Sequence, residues 1–403
     1  MVRFKLSLLI CNVKILLLHQ HFNTPEKGGA LRSYFLAKAL ADHGMQVVVI
    51  TAHNQGAKSV AAYEGIEIHY LPVPYDNAFS FYKRISAFMA FLVKSARLGS
   101  SLQGINKCYA MSTPLTTGLA AVWIKWKRKT PFLFEVGDLW PDAPVQLGFV
   151  KNSVLKIFLY QLEKFIYRQS ESIVALSAPM QEIIRRKAPG KTVHLLPNMA
   201  DTDFFTTEKR NALLDEKFGV KDHFVISYIG SIGYANGLEH LLDCAREVQK
   251  IKLPVVFLIC GEGAMLPYLK ETVQKLSISN VIFVPFQNRE GAREVMNVTD
   301  AVFVSYRQHA VLETGSPNKY FDGLAAGKLI IVNFGGWIKE EIEKMKCGIG
   351  LNPNRSGQLA LLFETVLNDA RKVQAMKENA AALAKKYDRK TQSIQFAKLF
   401  KPH

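Results

Sequence analysis

Paired cysteines are missing from this chain. Its five, Cys11, Cys108, Cys244, Cys260 and Cys347, are scattered, odd in number and nowhere spaced as C-x-x-C. That argues against a disulfide framework and a zinc site, and for a reducing compartment. Long apolar runs are missing too. No uninterrupted stretch reaches the roughly 20 residues that a membrane-spanning helix needs. The opening segment, MVRFKLSLLICNVKILLLHQHF, starts basic and apolar like a signal peptide. Asn12 and Lys14 interrupt it, and no small-residue cleavage site follows. A cytoplasmic chain, or one attached to the inner face of a membrane, is expected. Low-complexity tracts and short-period repeats are also absent.

Acidic residues are scarce. The 403 residues hold 51 Lys and Arg against 34 Asp and Glu, a net charge of +17. Residues 1–199 hold 24 bases against 11 acids, and the remainder 27 against 23. The first half therefore carries most of the positive field, which suits nucleic acid, an anionic membrane or an anionic substrate. No nucleic-acid module is recognisable, so nucleic acid is not an expected partner. The length favours two domains, and 49% hydrophobic content is enough for full cores.

Apolar runs of strand length alternate with stretches of helical period. Strands are expected at residues 14–18, 46–51, 66–72, 131–135, 172–176 and 193–196. The pattern restarts at 224–229, 255–260, 281–284, 301–304 and 329–333. Helices are expected at 31–43, 238–251 and 391–400. Such alternation implies βαβ crossovers and mostly parallel sheets. The junction falls at Pro197-Asn198-Met199-Ala200-Asp201.

Several stretches could carry chemistry. In HFNTPEKGGALRS, Gly28 and Gly29 precede a helix, where bare backbone N–H groups let an anion approach. An ordinary turn needing positive φ reads the same way. In SPNKYFDGLAAGKLIIV a helix starting near Pro317 attracts negative charge, Lys319 adds a cation, and Asp322 shares its face. An ionised Asp accepts two hydroxyl hydrogen bonds, as a ribose diol offers. Diphosphate and ribose together make a nucleotide-sugar; the alternative is a solvated Lys–Asp pair. Glu313, Thr314 and Gly315 precede this helix on a loop after a strand, where ligands of open αβ sheets bind. In FEVGDLWPDAP, Glu135 and Asp138 end a strand and Trp140 could stack on a sugar; it could equally pack beneath a loop. Gly230, Gly233 and Gly237, and the Gly261-Glu262-Gly263 turn, lack the spacing of a dinucleotide fingerprint. Residues 79–98, 123–129 and 151–168 mix apolar and basic side chains, as bilayer-surface segments or as core helices with charged rims.

Taken together, HFNTPEKGGALRS, FEVGDLWPDAP, LLPNMADTDFF, YIGSIGYANGLEHLL and ETGSPNKYFDGLAAGKLIIV resemble the retaining glycosyltransferases of family 4. The similarity is greatest to the D-L-W-P branch of bacterial envelope-polysaccharide (lipopolysaccharide and capsule) enzymes that includes fucosamine-type transferases. The resemblance implies a GT-B fold, two Rossmann-like α/β domains facing across a cleft with mostly parallel sheets. An acceptor domain would span residues 1–198, with 388–403 packing back on it, and a nucleotide-sugar domain 199–387. It implies transfer from a nucleoside diphosphate sugar, UDP favoured, to a hydroxyl of a polyprenyl-diphosphate-linked glycan. Attachment would be peripheral, to the anionic inner face of the cytoplasmic membrane, with no metal or other cofactor.

By motif position the resemblance assigns Asp138, Glu313 and Lys319 to catalysis. Gly28, Gly29, Gly230, Ser231, Asn236, Phe286, Arg307, Gly315, Ser316, Lys319 and Asp322 would surround the donor. His19, His21, Glu135, Asp138 and Trp140 would face the acceptor. The chain departs from the pattern at Ser231 and Asn236, where many members carry an Arg and a Lys on the diphosphate. Asp322 stands where Glu is usual, and Glu313 lies nine residues before it, not eight. Asp138 replaces a histidine common in relatives. The resemblance leaves a sugar-nucleotide epimerase as the alternative, and a Rossmann oxidoreductase behind it.

Overall fold

The structure is a computed structural model and describes residues 13–76, 79–355 and 357–401. The basic, apolar start discussed above, with Cys11, lies outside the described residues up to residue 12. Cys108, Cys244, Cys260 and Cys347 are buried and free.

The first sheet contains β1 (Lys14–Leu18), β2 (Gln46–His53), β3 (Ser59–Tyr63), β4 (Ile66–Pro72), β5 (Lys107–Met111), β6 (Phe132–Val136), β7 (Ser172–Ala175) and β8 (Val193–Leu195). Their order is β3-β4-β2-β1-β5-β6-β7-β8. All pairs are parallel except the edge pair β3–β4. The second sheet contains β9 (Phe224–Ile229), β10 (Val255–Cys260), β11 (Val281–Val284), β12 (Ala301–Val304), β13 (Leu329–Val332) and β14 (Gly348–Gly350). It is wholly parallel, in the order β11-β10-β9-β12-β13-β14.

The central strands read as apolar runs because helices cover both faces. β10, VVFLIC, is buried at every position. Two strands of the first sheet carry no such signal. β3, SVAAY, is an exposed antiparallel edge strand with no face to bury. β5, KCYAM, is buried but built without Val or Ile, the residues that announce a strand.

Helices Phe81–Ser101, Thr116–Arg128 and Ser153–Gln169 cover one face of the first sheet. Helix Arg32–Asp42 covers the other, together with the last helix, Arg389–Lys398, which returns from the second domain. Phe396 and Phe400 of this closing segment meet the buried Tyr109 ring at centroid distances of 4.8 and 5.8 Å. The junction is a double crossing. Ala200 donates its N–H to Tyr387 O (2.8 Å), and Arg389 donates its N–H to Ala200 O (3.0 Å).

Phe396 is fully buried although it lies in the final helix. Phe396→Ala should therefore lower stability in urea unfolding by about 3–5 kcal/mol, the usual cost of emptying a core aromatic site. A loss below about 1 kcal/mol, typical of a surface substitution, would mean that the returning helix does not brace the first domain.

Candidate active site

Strand order in the second sheet reverses between β9 and β12, and a crevice opens there at the carboxyl ends of the strands. The chain leaves β9 at Gly230. It leaves β12 through Tyr306, makes a short helix, Ala310–Glu313, and enters helix Asn318–Ala325. Facing them is the loop after β1, which holds Gly28 and Gly29. Between the two domains lies a cavity of about 500 Å³. Gly29 and Arg32 line it from the first domain, and Gly230, Ser231, Phe286, Lys319 and Asp322 from the second.

Lys319 is half-buried in the first turn of its helix. Its ammonium lies 4.7 Å from the centre of the Tyr228 ring. A Cβ built on Gly230 would sit 3.4 Å from Lys319 Cε and 3.6 Å from its Nζ, in contact with the end of that side chain. Burial lowers the Lys319 ammonium to about 8, with the Asp322 charge opposing the shift. Burial raises the Asp322 carboxyl to about 7, with Arg289 lowering it, Asp201 raising it and Lys319 lowering it. The two side chains do not close into an ion pair; among the described residues neither has a hydrogen-bond partner within the protein. The solvated Lys–Asp pair is therefore not what forms.

Two further cations line the cavity, and both are neutralised. Arg32 donates from Nε (3.0 Å) and Nη2 (2.7 Å) to the buried Glu135 carboxylate, and from Nη1 to Pro197 O (2.7 Å). Tyr109 also donates its hydroxyl to Glu135. Arg289 pairs with Asp201 and lies 3.7 Å from the Phe204 ring centre. Asp201 is held from its other side by Arg389 (2.9 Å). Asp203 is held by Arg389 (2.7 Å) and Lys390 (2.9 Å), so the Asp-Thr-Asp run belongs to the domain junction. Lys319 is thus the one cation on this cavity, among the described residues, without a counter-ion.

The first-domain loop comes close. Gly28 and Gly29 have φ of +70° and +79°, which side chains rarely adopt. A Cβ on Gly28 would lie 3.3 Å from Asn288 Cα of the second domain. The walls also meet where Ser177 donates its hydroxyl to Thr314 O (2.6 Å) and Val311 donates its N–H to Gln146 Oε1 (3.1 Å). Asp138 presents an exposed surface, yet the protein packed around its carboxyl raises it above the usual range. Its charge is felt at Tyr306, which lines the cavity.

Other expected site residues lie elsewhere. Glu135 serves the buried Arg32 and Tyr109 and does not face an acceptor. Arg307 lies over the Tyr234 ring and is bound to Glu239 and to Tyr234 O, so it is not free for a diphosphate. Asn236 turns inward to accept from Gly233 N–H (3.0 Å). Ser316 is buried and ties the junction to its helix, accepting from Asn198 N–H. Gly315 accepts from Trp337 Nε1 (2.9 Å). Glu313 packs against Gly335, where a Cβ would lie 3.1 Å from its Oε1, and does not line the cavity. Trp140 packs partly buried against the first core. His19 accepts from or donates to the Ser33 hydroxyl (2.9 Å), and burial with the His21 charge lowers it to about 3. Burial lowers His21 to about 4, and His21 lines a different cavity. The Gly261 turn is glycine for packing: a Cβ there would lie 2.0 Å from Gly230 O. That removes the feature closest to a dinucleotide fingerprint.

Arg32 and Arg289 are site residues that motif spacing did not reveal. Each is the first residue of a helix, where the dipole opposes a cation. A cation at that position has to be held by something else, and this is the signal that could have found them.

Residues 27–199 match a family model described as a glycosyl transferase 4-like domain, and residues 211–383 one described as glycosyl transferases group 1. The chain is similar to an α-D-kanosaminyltransferase of Streptomyces kanamyceticus, 25% identical over 59% of this chain and 62% of that one. It is likewise 25% identical to WcaI, a putative colanic acid biosynthesis glycosyl transferase of Escherichia coli K12, over 48% of this chain and 49% of that one. The matches thus span about half to three-fifths of these relatives. Among solved structures, Anabaena HepE in complex with UDP and glucose superposes with a TM-score of 0.71, at 17% identity, over 96% of this chain and 99% of that one. The GT-B arrangement of two α/β domains with mostly parallel sheets is shared with it.

A lysine pressed into a cleft without a counter-ion costs folding stability. Its folded-state value, about 8, is below the unfolded one, so the unfolded chain binds more protons between the two. Lys319→Met should therefore melt no lower than the parent at pH 7. Its advantage should shrink as pH rises from about 8 to about 10.5, the ordinary lysine value. A variant clearly less stable at pH 7 would show that Lys319 is a structural cation.

Proposed function

We propose that this glycosyltransferase, a 4-like domain joined to a group 1 domain, moves a hexose-type sugar from a nucleoside diphosphate sugar to a glycan hydroxyl with retention. UDP is the favoured carrier, and a lipid-linked glycan of surface polysaccharide synthesis the favoured acceptor. The observation that carries this reading is the uncompensated Lys319 ammonium at a helix N-terminus on the wall of the interdomain cavity. HepE, solved with UDP and glucose, supports the carrier; WcaI, named for colanic acid biosynthesis, supports the acceptor class.

In this reading the diphosphate lies against the first turn of helix Asn318–Ala325, between Gly29 and Gly230. Ammonium and helix N–H groups meet negative charge as it develops on the leaving group, where fixed electrostatics contribute most. Asp322 accepts from the ribose diol. Asp138, across the gap, orients the attacking hydroxyl. Attack proceeds on the face the diphosphate leaves, and the departing phosphate takes the hydroxyl proton. Glu313, packed on Gly335, is not placed as a covalent nucleophile. Lys319 and backbone N–H groups carry the leaving charge, so transfer proceeds without a metal. No observation favours the epimerase or oxidoreductase readings.

Attachment to a membrane surface would use the outer helices. Ile85, Met89 and Val93 form one exposed stripe at intervals of four along helix Phe81–Ser101. Helix Ser153–Gln169 exposes Val154, Ile157 and Phe158 at 76, 63 and 60%. Lys151, Lys156 and Lys164 lie in or beside this second helix. An apolar strip with basic neighbours suits an anionic bilayer surface. Among the described residues no helix is long and apolar enough to cross a membrane.

Three measurements follow from this reading. Mass spectrometry of products from a nucleotide-sugar panel with lipid-linked acceptors should detect transfer that survives EDTA and falls on the order of 100-fold or more in Lys319→Ala. An undiminished rate would refute the assigned role. Calorimetry should find UDP affinity greatest between about pH 7 and 8, bounded by Asp322 protonation below and Lys319 deprotonation above. Binding above pH 8 should take up a proton, and Lys319→Ala should abolish that uptake; affinity flat with pH would contradict the assignment. Co-sedimentation with phosphatidylglycerol vesicles should weaken with salt and drop in Ile157→Asp/Phe158→Asp, whereas equal pelleting of both proteins would end the membrane proposal.

A further inference from the structure

A second cavity, of about 460 Å³, opens at the carboxyl ends of β1, β2 and β4. Gln20 and His21 follow β1, His53 and Asn54 close β2, and Tyr70 and Tyr75 complete the wall. The loop after β1 divides it from the first cavity. Asn23 and Lys27 face this side, Gly29 and Arg32 the other. Nothing in the transfer described above uses it.

Gln20 is 1% exposed. Its backbone is fixed, for its carbonyl accepts from Ala52 N–H (3.2 Å) and from the Thr51 hydroxyl (3.2 Å). Yet neither Nε2 nor Oε1 of its amide has a partner, and His53 Nε2 is buried and unpartnered as well. Buried polar atoms are nearly always paired, so three orphans in the wall of one cavity need an explanation. Gln20 and His53 both line this cavity.

The orphans select a chemistry. A phosphate or carboxylate could accept from Gln20 Nε2 but has no proton to offer Oε1. An ammonium could do only the reverse. Hydroxyls donate and accept. The lining agrees: it contains no carboxylate, His21 is neutral, and the Lys27 ammonium is seated over the Tyr70 ring at 4.6 Å. Tyr75, 4.7 Å from the His21 ring, presents an aromatic body for the C–H face of a sugar.

We propose that this cavity is a subsite for a neutral pyranose of the acceptor glycan, held by Gln20 and His53 through neighbouring hydroxyls and packed against Tyr75. The pyranose it holds is not the one attacked, because the glycine loop stands between it and the cleft. The assignment rests on the transferase reading. It gives the first domain a means of selecting its acceptor by a unit remote from the bond being made.

Saturation-transfer NMR on the full chain tests it, with the methyl glycosides of glucose, galactose, mannose and N-acetylglucosamine as probes, glucose 6-phosphate as the charged comparison and UDP as the control. At least one methyl glycoside should bind in preference to the phosphate. Gln20→Met and His53→Phe should each weaken it about tenfold, the usual effect of one lost hydrogen bond, with UDP binding unchanged within about twofold. Should Gln20→Met fail to fold, His53→Phe, which keeps the ring volume, decides alone. UDP binding without any glycoside binding, or glycoside binding indifferent to His53→Phe, overturns the subsite and leaves the transferase reading standing. Failure of the parent protein to bind UDP overturns both.

Discussion

One unpaired ammonium organises this molecule. Lys319 stands where a helix dipole already repels a cation, half out of water, with no carboxylate within ion-pair distance. Proteins rarely leave a charge in that condition without a reason, since such groups usually find a partner or lose their proton. The surroundings preserve the exposure of the charge to the gap. Gly230 offers no side chain in its path, Tyr228 supplies only a ring face, and Asp322 stays apart. In the proposed reading, an anion with its own hydroxyl-bearing neighbour completes the arrangement.

The arginines on the same cavity show the contrast. Arg32 and Arg289 also begin helices, but each is saturated, Arg32 by Glu135 and the junction carbonyls, Arg289 by Asp201 and Phe204. Both sit where the chain passes between domains, and Arg389 of the returning helix joins Arg289 at Asp201. Arg32 ties the first domain to the start of the junction, and Arg289 ties the second domain to its end. The three similar cations thus differ in whether a counter-ion is supplied, and the proposed reading gives binding to the one that lacks it.

Much of the fold was legible because parallel strands buried on both faces must be apolar throughout. β9, β10 and β12 begin and end where the sequence pattern places them, as do β4 and the edge strand β11, which are only partly buried. The signal failed at β3, which buries nothing, and at β5, whose Cys, Tyr, Ala and Met are apolar without strand character. In the site, local spacing sufficed for Lys319 and Asp322, neighbours on one helix turn. It could not show that Arg307 is captured by Glu239, that Glu135 is captured by Arg32, or that Gly261 yields to the Gly230 carbonyl. Those outcomes depend on partners tens of residues away, which periodicity does not encode.

The central claim is that the Lys319 ammonium receives a diphosphate at the mouth of its helix. A crystal structure with UDP bound tests it most directly. The account places phosphate oxygens within hydrogen-bond reach, about 3 Å, of Lys319 Nζ and of the first helix N–H groups, with Asp322 on the ribose hydroxyls. A diphosphate lodged elsewhere on the protein, with the ammonium still unoccupied, would contradict it.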